Sequence, residues 1–220
     1  MERVMDFSNA FSRYEALVDQ VGQVFTKVSS EFSEEVKCKA GCDDCCHALF
    51  DLTFVEALYI KEKFDELYNG KARYEITERA STVDRGLAKM KKEAYKRHEA
   101  GTPDDAIIEA ISKMRVRCPL LGEEGKCLMY EYRPIACRVY GIPTSAAGKG
   151  HTCGLSGFNE GKAYPTLNMD LVYNRLYKIS GDLVREIDSR FTQMGSVLVP
   201  LSMALLTDYN EEYLGVEVKA

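Results

Sequence analysis

Several things are missing from this 220-residue sequence, and each narrows what the chain can do. No uninterrupted apolar run approaches the ~20 residues a helix needs to cross a bilayer, so no membrane-spanning segment is expected. No apolar stretch follows Met1-Glu2-Arg3-Val4-Met5-Asp6, so the start does not read as a signal peptide and a cytosolic location is expected. Positive charge is not in excess. The 29 Lys and Arg are outnumbered by 34 Asp and Glu, and a net charge of −5 argues against general nucleic-acid binding. Three histidines are too few to build a serine or cysteine triad. Gly148-Lys149-Gly150 lacks the G-x-x-x-x-G-K-[ST] frame of a phosphate-binding loop. There is no internal repeat, no low-complexity tract and no clean domain boundary, and the length suits one good core.

What the chain does have is cysteine, eight of them, in two groups. Cys38, Cys42, Cys45 and Cys46 are spaced C-x3-C-x2-C-C, and Cys118, Cys127, Cys137 and Cys153 follow as C-x8-C-x9-C-x15-C. In a reducing compartment stable disulfides are rare, so clustered thiols point to metal binding or redox chemistry. Adjacent Cys45 and Cys46 could bridge each other only through a strained ring. Thiolate is a soft ligand that selects zinc, copper(I) or iron–sulfur centres over magnesium or calcium. Four thiolates close one zinc site or hold one cubane, so eight could serve two sites, or one site with thiols to spare.

The rest of the sequence reads as helices. Phe7, Phe11, Tyr14, Val18, Val21, Phe25, Val28 and Phe32 repeat in steps of four and three. That is the seam of an amphipathic helix over about 6–36, roughly 40 Å long, docked on the body or paired in a coiled coil. Gly41 sits where a loop around an ion needs positive φ. Thr53 and Glu56 form a capping box that starts a helix with Phe54, Leu58, Ile60, Phe64 and Leu67 on one face, closed by Asn69-Gly70. Residues 71–100 repeat the helical pattern, with Ile76, Ala80, Val83, Leu87, Met90 and Ala94 inside. Their outer face carries Arg79, Arg85, Lys89, Lys91, Lys92, Lys96 and Arg97, a solvated surface or a docking face for an acidic protein partner.

Thr102-Pro103-Asp104-Asp105 reads as an N-cap, a proline at N1 and acids on the helix dipole. That helix is expected to run to about Met114. The second cysteine region is punctuated by proline and glycine and reads as irregular structure of the kind that carries function. From Asn168 a last long helix, to about 194, shows Val172, Leu176, Ile179, Leu183, Ile187 and Phe191, with Gly181 its weak point. A short helix from Pro200 through Leu206 precedes an acidic tail, 208–220, expected to be loosely held.

Around the downstream thiols, Arg115, Arg117, Arg133 and Arg138 could offset the roughly −2 charge left by four thiolates on zinc or an oxidised [4Fe–4S] core. His47 and His151 each lie next to a cysteine and read mainly as loop or supporting residues rather than ligands, and His98 as a surface residue. The C-x3-C-x2-C of Cys38, Cys42 and Cys45 matches radical S-adenosylmethionine enzymes in spacing. Asp44 and the immediately following Cys46 depart from that pattern, and the alternating strands and helices of that barrel are absent.

A better match runs through both groups: Cys42-x-x-Cys45-Cys46, Arg117-Cys118-Pro119-Leu120, Gly125-Lys126-Cys127-Leu128-Met129-Tyr130, and Tyr132-Arg133-Pro134-Ile135-Ala136-Cys137-Arg138. This series resembles the YkgJ-type cysteine-cluster family, the CxxCxxCC domain of zinc- or iron-chelating proteins, over roughly residues 38–155. Cys38 departs from it by one residue in the first interval. The resemblance implies metal chelation. Because such a domain also occurs in a flagellin lysine methylase, it admits a modification enzyme among relatives.

The expectation is therefore a mainly α protein. One domain, 1–207, has a metal core at about 38–155 and flanking helices at 6–36 and 168–194. All eight cysteines are candidate ligands for an iron–sulfur cluster, [4Fe–4S] ahead of zinc, because Cys118-Pro119 echoes a ferredoxin ending and eight thiols exceed one structural zinc site. A redox or accessory role, a zinc-built interaction module and a metal-dependent modifying enzyme follow in that order.

Overall fold

The computed structural model describes residues 5–39 and 41–217, and the expectations on Met1–Val4 and on the last three residues lie outside them. The architecture is mainly α, with eight helices among the described residues. They are α1 (Ser8–Glu31), α2 (Phe54–Leu67), α3 (Gly70–Glu99), α4 (Asp104–Ser112), α5 (Ile135–Val139), α6 (Met169–Glu186), α7 (Leu201–Leu206) and α8 (Glu211–Leu214). Five short strands complete it: β1 (Asp51–Thr53), β2 (Thr144–Ala146), β3 (Lys149–His151), β4 (Leu167–Asn168) and β5 (Leu198–Pro200).

Helix α2 is the centre. Its apolar residues are spread around its circumference, which suits a helix buried on all sides. Phe54, Val55, Leu58 and Tyr59 face one core, shared with α1, α5, α6 and α8. Ala57, Ile60 and Phe64 face a second, shared with α3, α7 and the downstream cysteine loops through Leu120 and Met129. Leu67, expected on the inner face, is 49% exposed at the helix end. The start of α2 is fixed three times: Thr53 and Glu56 make the expected capping box, and the buried Ser180 hydroxyl of α6 accepts the Val55 N–H at 3.1 Å. Each such satisfied end group contributes about 1 kcal/mol.

Helix α1 docks on the body. Its buried residues, Ala10, Phe11, Tyr14, Leu17, Val21 and Val28, pack against α2, α5 and α6. It ends at Glu31, five residues short of Val36, and turns through 32–35 deliver Cys38. Helix α4 begins at Asp104 and ends at Ser112. Pro103 occupies the cap position, and the Thr102 side chain does not cap it.

Helix α6 starts where expected and is capped, Asn168 Oδ1 accepting the N–H of Asp170 at 2.9 Å and of Leu171 at 3.3 Å. It ends at Glu186 rather than near 194, and Phe191 lies beyond it, 42% exposed. Gly181 is not a weak point. A Cβ built on Gly195 would stand 2.7 Å from Gly181 Cα and 2.9 Å from its N, so the pair lets the 192–196 turn lie directly on the helix backbone.

Two regions are more ordered than their sequence suggests. The stretch after Cys137 forms a three-stranded sheet, β3-β2-β4. Its β2–β3 hairpin turns on Ala147 and Gly148, both at positive φ, as a two-residue hairpin requires. The acidic tail is held through residue 217: Leu214 and Val216 are buried, and Ser189 Oγ donates to the Leu214 carbonyl at 2.5 Å. A pair of apolar side chains among acids is enough to anchor a segment whose average composition is polar. No helix among the described residues is long and apolar enough to cross a membrane.

Candidate metal centre

The two cysteine groups, with 71 residues between Cys46 and Cys118, are stitched by backbone hydrogen bonds. Cys118 N donates to Cys46 O at 2.7 Å, and Val116 N to His47 O at 3.0 Å. The first group sits on a turn at Asp44–His47, entered through Gly41 at φ +86°, a left-handed conformation that a side chain would strain. The second is drawn into a tight loop by an isolated bridge at Leu121 and Cys127, with Leu128 N donating to Leu120 O at 2.8 Å. Cys137 arrives on α5, and Gly141 follows it. Here a Cβ would meet Cys38 Cβ at 2.5 Å, so the absent side chain is what admits Cys38.

These connections place seven of the eight thiols around one cavity of about 400 Å³: Cys38, Cys42, Cys45, Cys46, Cys118, Cys127 and Cys137. The thiols influence one another: Cys45 is drawn well below the ordinary thiol range by its neighbours Cys137 and Cys46. Cys46 in turn is pushed up by its neighbours Cys118 and Cys127, while Cys127, with Cys46 beside it, is lowered to about 7. Burial raises Cys38, with the nearby Cys42 and Cys45 adding to the effect. Cys153 is the exception. It does not line the cavity; its Sγ donates to Asp44 Oδ2 at 3.3 Å and accepts the Leu155 N–H at 3.4 Å, beside Cys42.

Of the four arginines expected to offset thiolate charge, Arg133 lines the cavity and its charge lowers Cys38, Cys45 and Cys127, though in each case after larger causes. Its guanidinium lies 3.7 Å from the centre of the Tyr130 ring and donates to the Tyr130 carbonyl, which fixes the planar group in place. Arg117 also reaches the lining but donates to the carbonyls of Leu121 and Gly122. Arg138 bonds the Arg133 carbonyl at 2.8 Å, and Arg115 pairs with Asp44 at 2.5 Å. The histidines stand aside. His47 Nδ1 lies 3.2 Å from the Asp43 carbonyl, His151 is exposed on β3, and His98 pairs with Asp104 at the surface.

A family model matches residues 37–154, the stretch that supplies all eight cysteines. Its description is "CxxCxxCC: Putative zinc- or iron-chelating domain". The chain belongs to this family. Zinc or iron chelation is the property this description ascribes to the family, and the residues present fit it: seven thiols, which are soft donors, line a common space with a cation at its edge. The thiols line the cavity rather than close on a point. Among the described residues no three His, Cys, Asp or Glu side chains are gathered tightly enough to hold an ion as they stand. No curated protein and no solved structure matches the chain.

Two features of the CxxCxxCC centre carry no sequence signal. One is the closeness of Gly141 to Cys38. The other is the reach of Glu56 to the α5 backbone, because a capping box looks the same whether or not it has a distant partner.

Proposed function

We propose that the chain is a thiolate metal carrier that holds an iron–sulfur cluster, with a redox or accessory role, through the cysteines around the cavity. The observation that carries this reading is the number of thiols on one space. A single structural zinc is closed by four sulfurs at about 2.3 Å, which leaves neither spare thiols nor empty volume. Seven thiols around about 400 Å³ suit a polynuclear centre better. When bound, such a centre supplies one-electron chemistry. The protein's own part is to hold the sulfurs ionised, with Arg133 as the fixed counter-charge, and to keep the buried Cys46 away from bulk water. All eight cysteines are ligands in this reading, with Cys153 joining from beside Cys42 by side-chain rotation.

The test is anaerobic purification followed by an absorption spectrum and elemental analysis of one sample. Absorption near ~400 nm with iron and acid-labile sulfide is expected. Colourless protein with about one or two zinc ions would overturn the cluster reading and leave a zinc-built interaction module. A modifying enzyme is favoured by one observation: the cavity continues past the thiols to a wall of Leu49, Phe50, Val83, Leu87 and Leu201, room of the kind an organic substrate fills.

A further inference from the structure

Glu56 is a carboxyl group in the middle of the protein, 4% exposed. Burying such a group is costly unless its oxygens are satisfied. One of them, Oε2, works locally. It accepts the Thr53 N–H at 3.1 Å and the Thr53 hydroxyl at 2.8 Å, the capping box that starts α2. The other, Oε1, accepts the N–H of Ile135 at 3.1 Å, across 79 residues of sequence.

Ile135 is the first residue of α5, and Cys137 is the third. The start of α5 has no side-chain cap at its own position: Pro134 occupies the cap and no side chain there accepts a hydrogen bond, while Ile135 and Val139 are held by burial in the core shared with α1. Proline at this place fixes φ without supplying an acceptor. The Glu56 oxygen is therefore the hydrogen-bonded tie between the central helix and the short helix that carries Cys137. Five residues are too few for a helix to hold its own direction, so this tie, together with the burial of Ile135 and Val139, sets where α5 points.

We propose that Glu56 is a positioning residue of the metal centre: by holding the Ile135 N–H it sets the start of α5 and so the direction from which Cys137 presents its sulfur. Thr53 shares the cap but not the tie, and the two roles can be separated. This inference rests on the metal reading above, and its test keeps the two apart.

The experiment is cobalt(II) titration of the thiol-reduced full-length protein, read by sulfur-to-cobalt charge-transfer absorption and by competition with a chelator. Helix content is followed by circular dichroism. Glu56→Ala removes the tie, and Glu56→Gln keeps the volume but can accept on one side only. Both are expected to keep wild-type helicity, to bind cobalt about 10–100-fold more weakly and to show an altered charge-transfer band, the range usual when a partner that orients a ligand is removed. Thr53→Ala, which leaves the Oε1 tie in place, is expected to bind near the wild-type level. Wild-type affinity and spectrum in both Glu56 variants would overturn the positioning role, as would an equal loss in Thr53→Ala. Wild-type protein that takes up no cobalt would overturn the metal reading itself. Should Glu56→Ala fail to fold, Glu56→Gln decides on the same readouts.

Discussion

Adding one methyl group at Gly141 tests whether Cys38 belongs to the metal centre. A Cβ there would lie 2.5 Å from Cys38 Cβ, 3.3 Å from Cys38 Sγ and 3.5 Å from the Phe25 ring. Ordinary carbon contacts are at about 3.5–4.0 Å, so one backbone must withdraw by roughly 1 Å. The clash is with Cβ rather than with the end of a flexible side chain, so rotating the cysteine does not relieve it. Gly141 follows closely on α5 and packs beside α1, whereas Cys38 lies on an exposed turn, and Cys38 is the side that gives way. Overpacking of this kind costs about 1–3 kcal/mol. Metal ligands tolerate only about 0.2 Å of error, so a 1 Å retreat removes Cys38 from the ligand set. Gly141→Ala and Cys38→Ser should then weaken cobalt binding to the same extent, and the double variant should be no worse than either. The assay is cobalt titration of the four proteins with thermal unfolding of each apo form, a double-mutant cycle on affinity. Lower stability with unchanged cobalt affinity in Gly141→Ala would refute the reasoning and leave Cys38 outside the centre.

Two further outcomes are expected. Gly195→Ala would drive a Cβ into the Gly181 and Ser180 backbone of α6 and should lower apo stability by about 1–3 kcal/mol in denaturant unfolding, while cobalt affinity per folded molecule stays unchanged; a wild-type midpoint would show that the turn lifts off α6 freely. The second concerns pH. Burial raises the Glu56 carboxyl above its ordinary value, against the bonds from Thr53 and Ile135. A raised native value means that the folded state holds the proton more tightly than the unfolded chain. Its stabilising contribution is full below the unfolded value and is lost as pH rises through the native one. Tyr14 of α1 and Tyr173 of α6, which also feel Glu56, have raised values and stay neutral through this window. In apo protein the stability advantage of wild type over Glu56→Gln should therefore narrow from acid pH to neutrality; an advantage that widens would mean that the hydrogen bonds outweigh burial.

Much of this molecule follows from short-range chemistry that a sequence displays directly. The seam of α1, the Thr53–Glu56 cap, the start of α6 at Asn168, the Gly41 turn and the short helix after Pro200 all depend on residues a few positions apart. The concentration of eight thiols in two groups depends only on counting, and the motif series around them resembled the chelating family that the match over 37–154 then showed.

What tertiary structure alone decided depends on separations that no local pattern encodes. Which arginine stands at the thiols is an example: four were equivalent in sequence, and packing left Arg133 facing them while Arg138 and Arg117 were drawn to carbonyls and Arg115 to Asp44. Cys153 was indistinguishable from the other cysteines until the chain placed it beside Asp44. The β2–β3 hairpin was hidden because its turn uses Ala147 at positive φ, a conformation alanine does not advertise, supported by the Asp170 carboxylate accepting the Ala147 N–H at 3.0 Å. Gly181 read as a helix defect because its benefit is the close approach of Gly195 from another segment. Glu56 likewise read as a helix cap, and its second oxygen acquired a role only when α5 was brought against α2. In each case a single residue's local preference left several partners open, and the burial of the surrounding apolar surface chose among them.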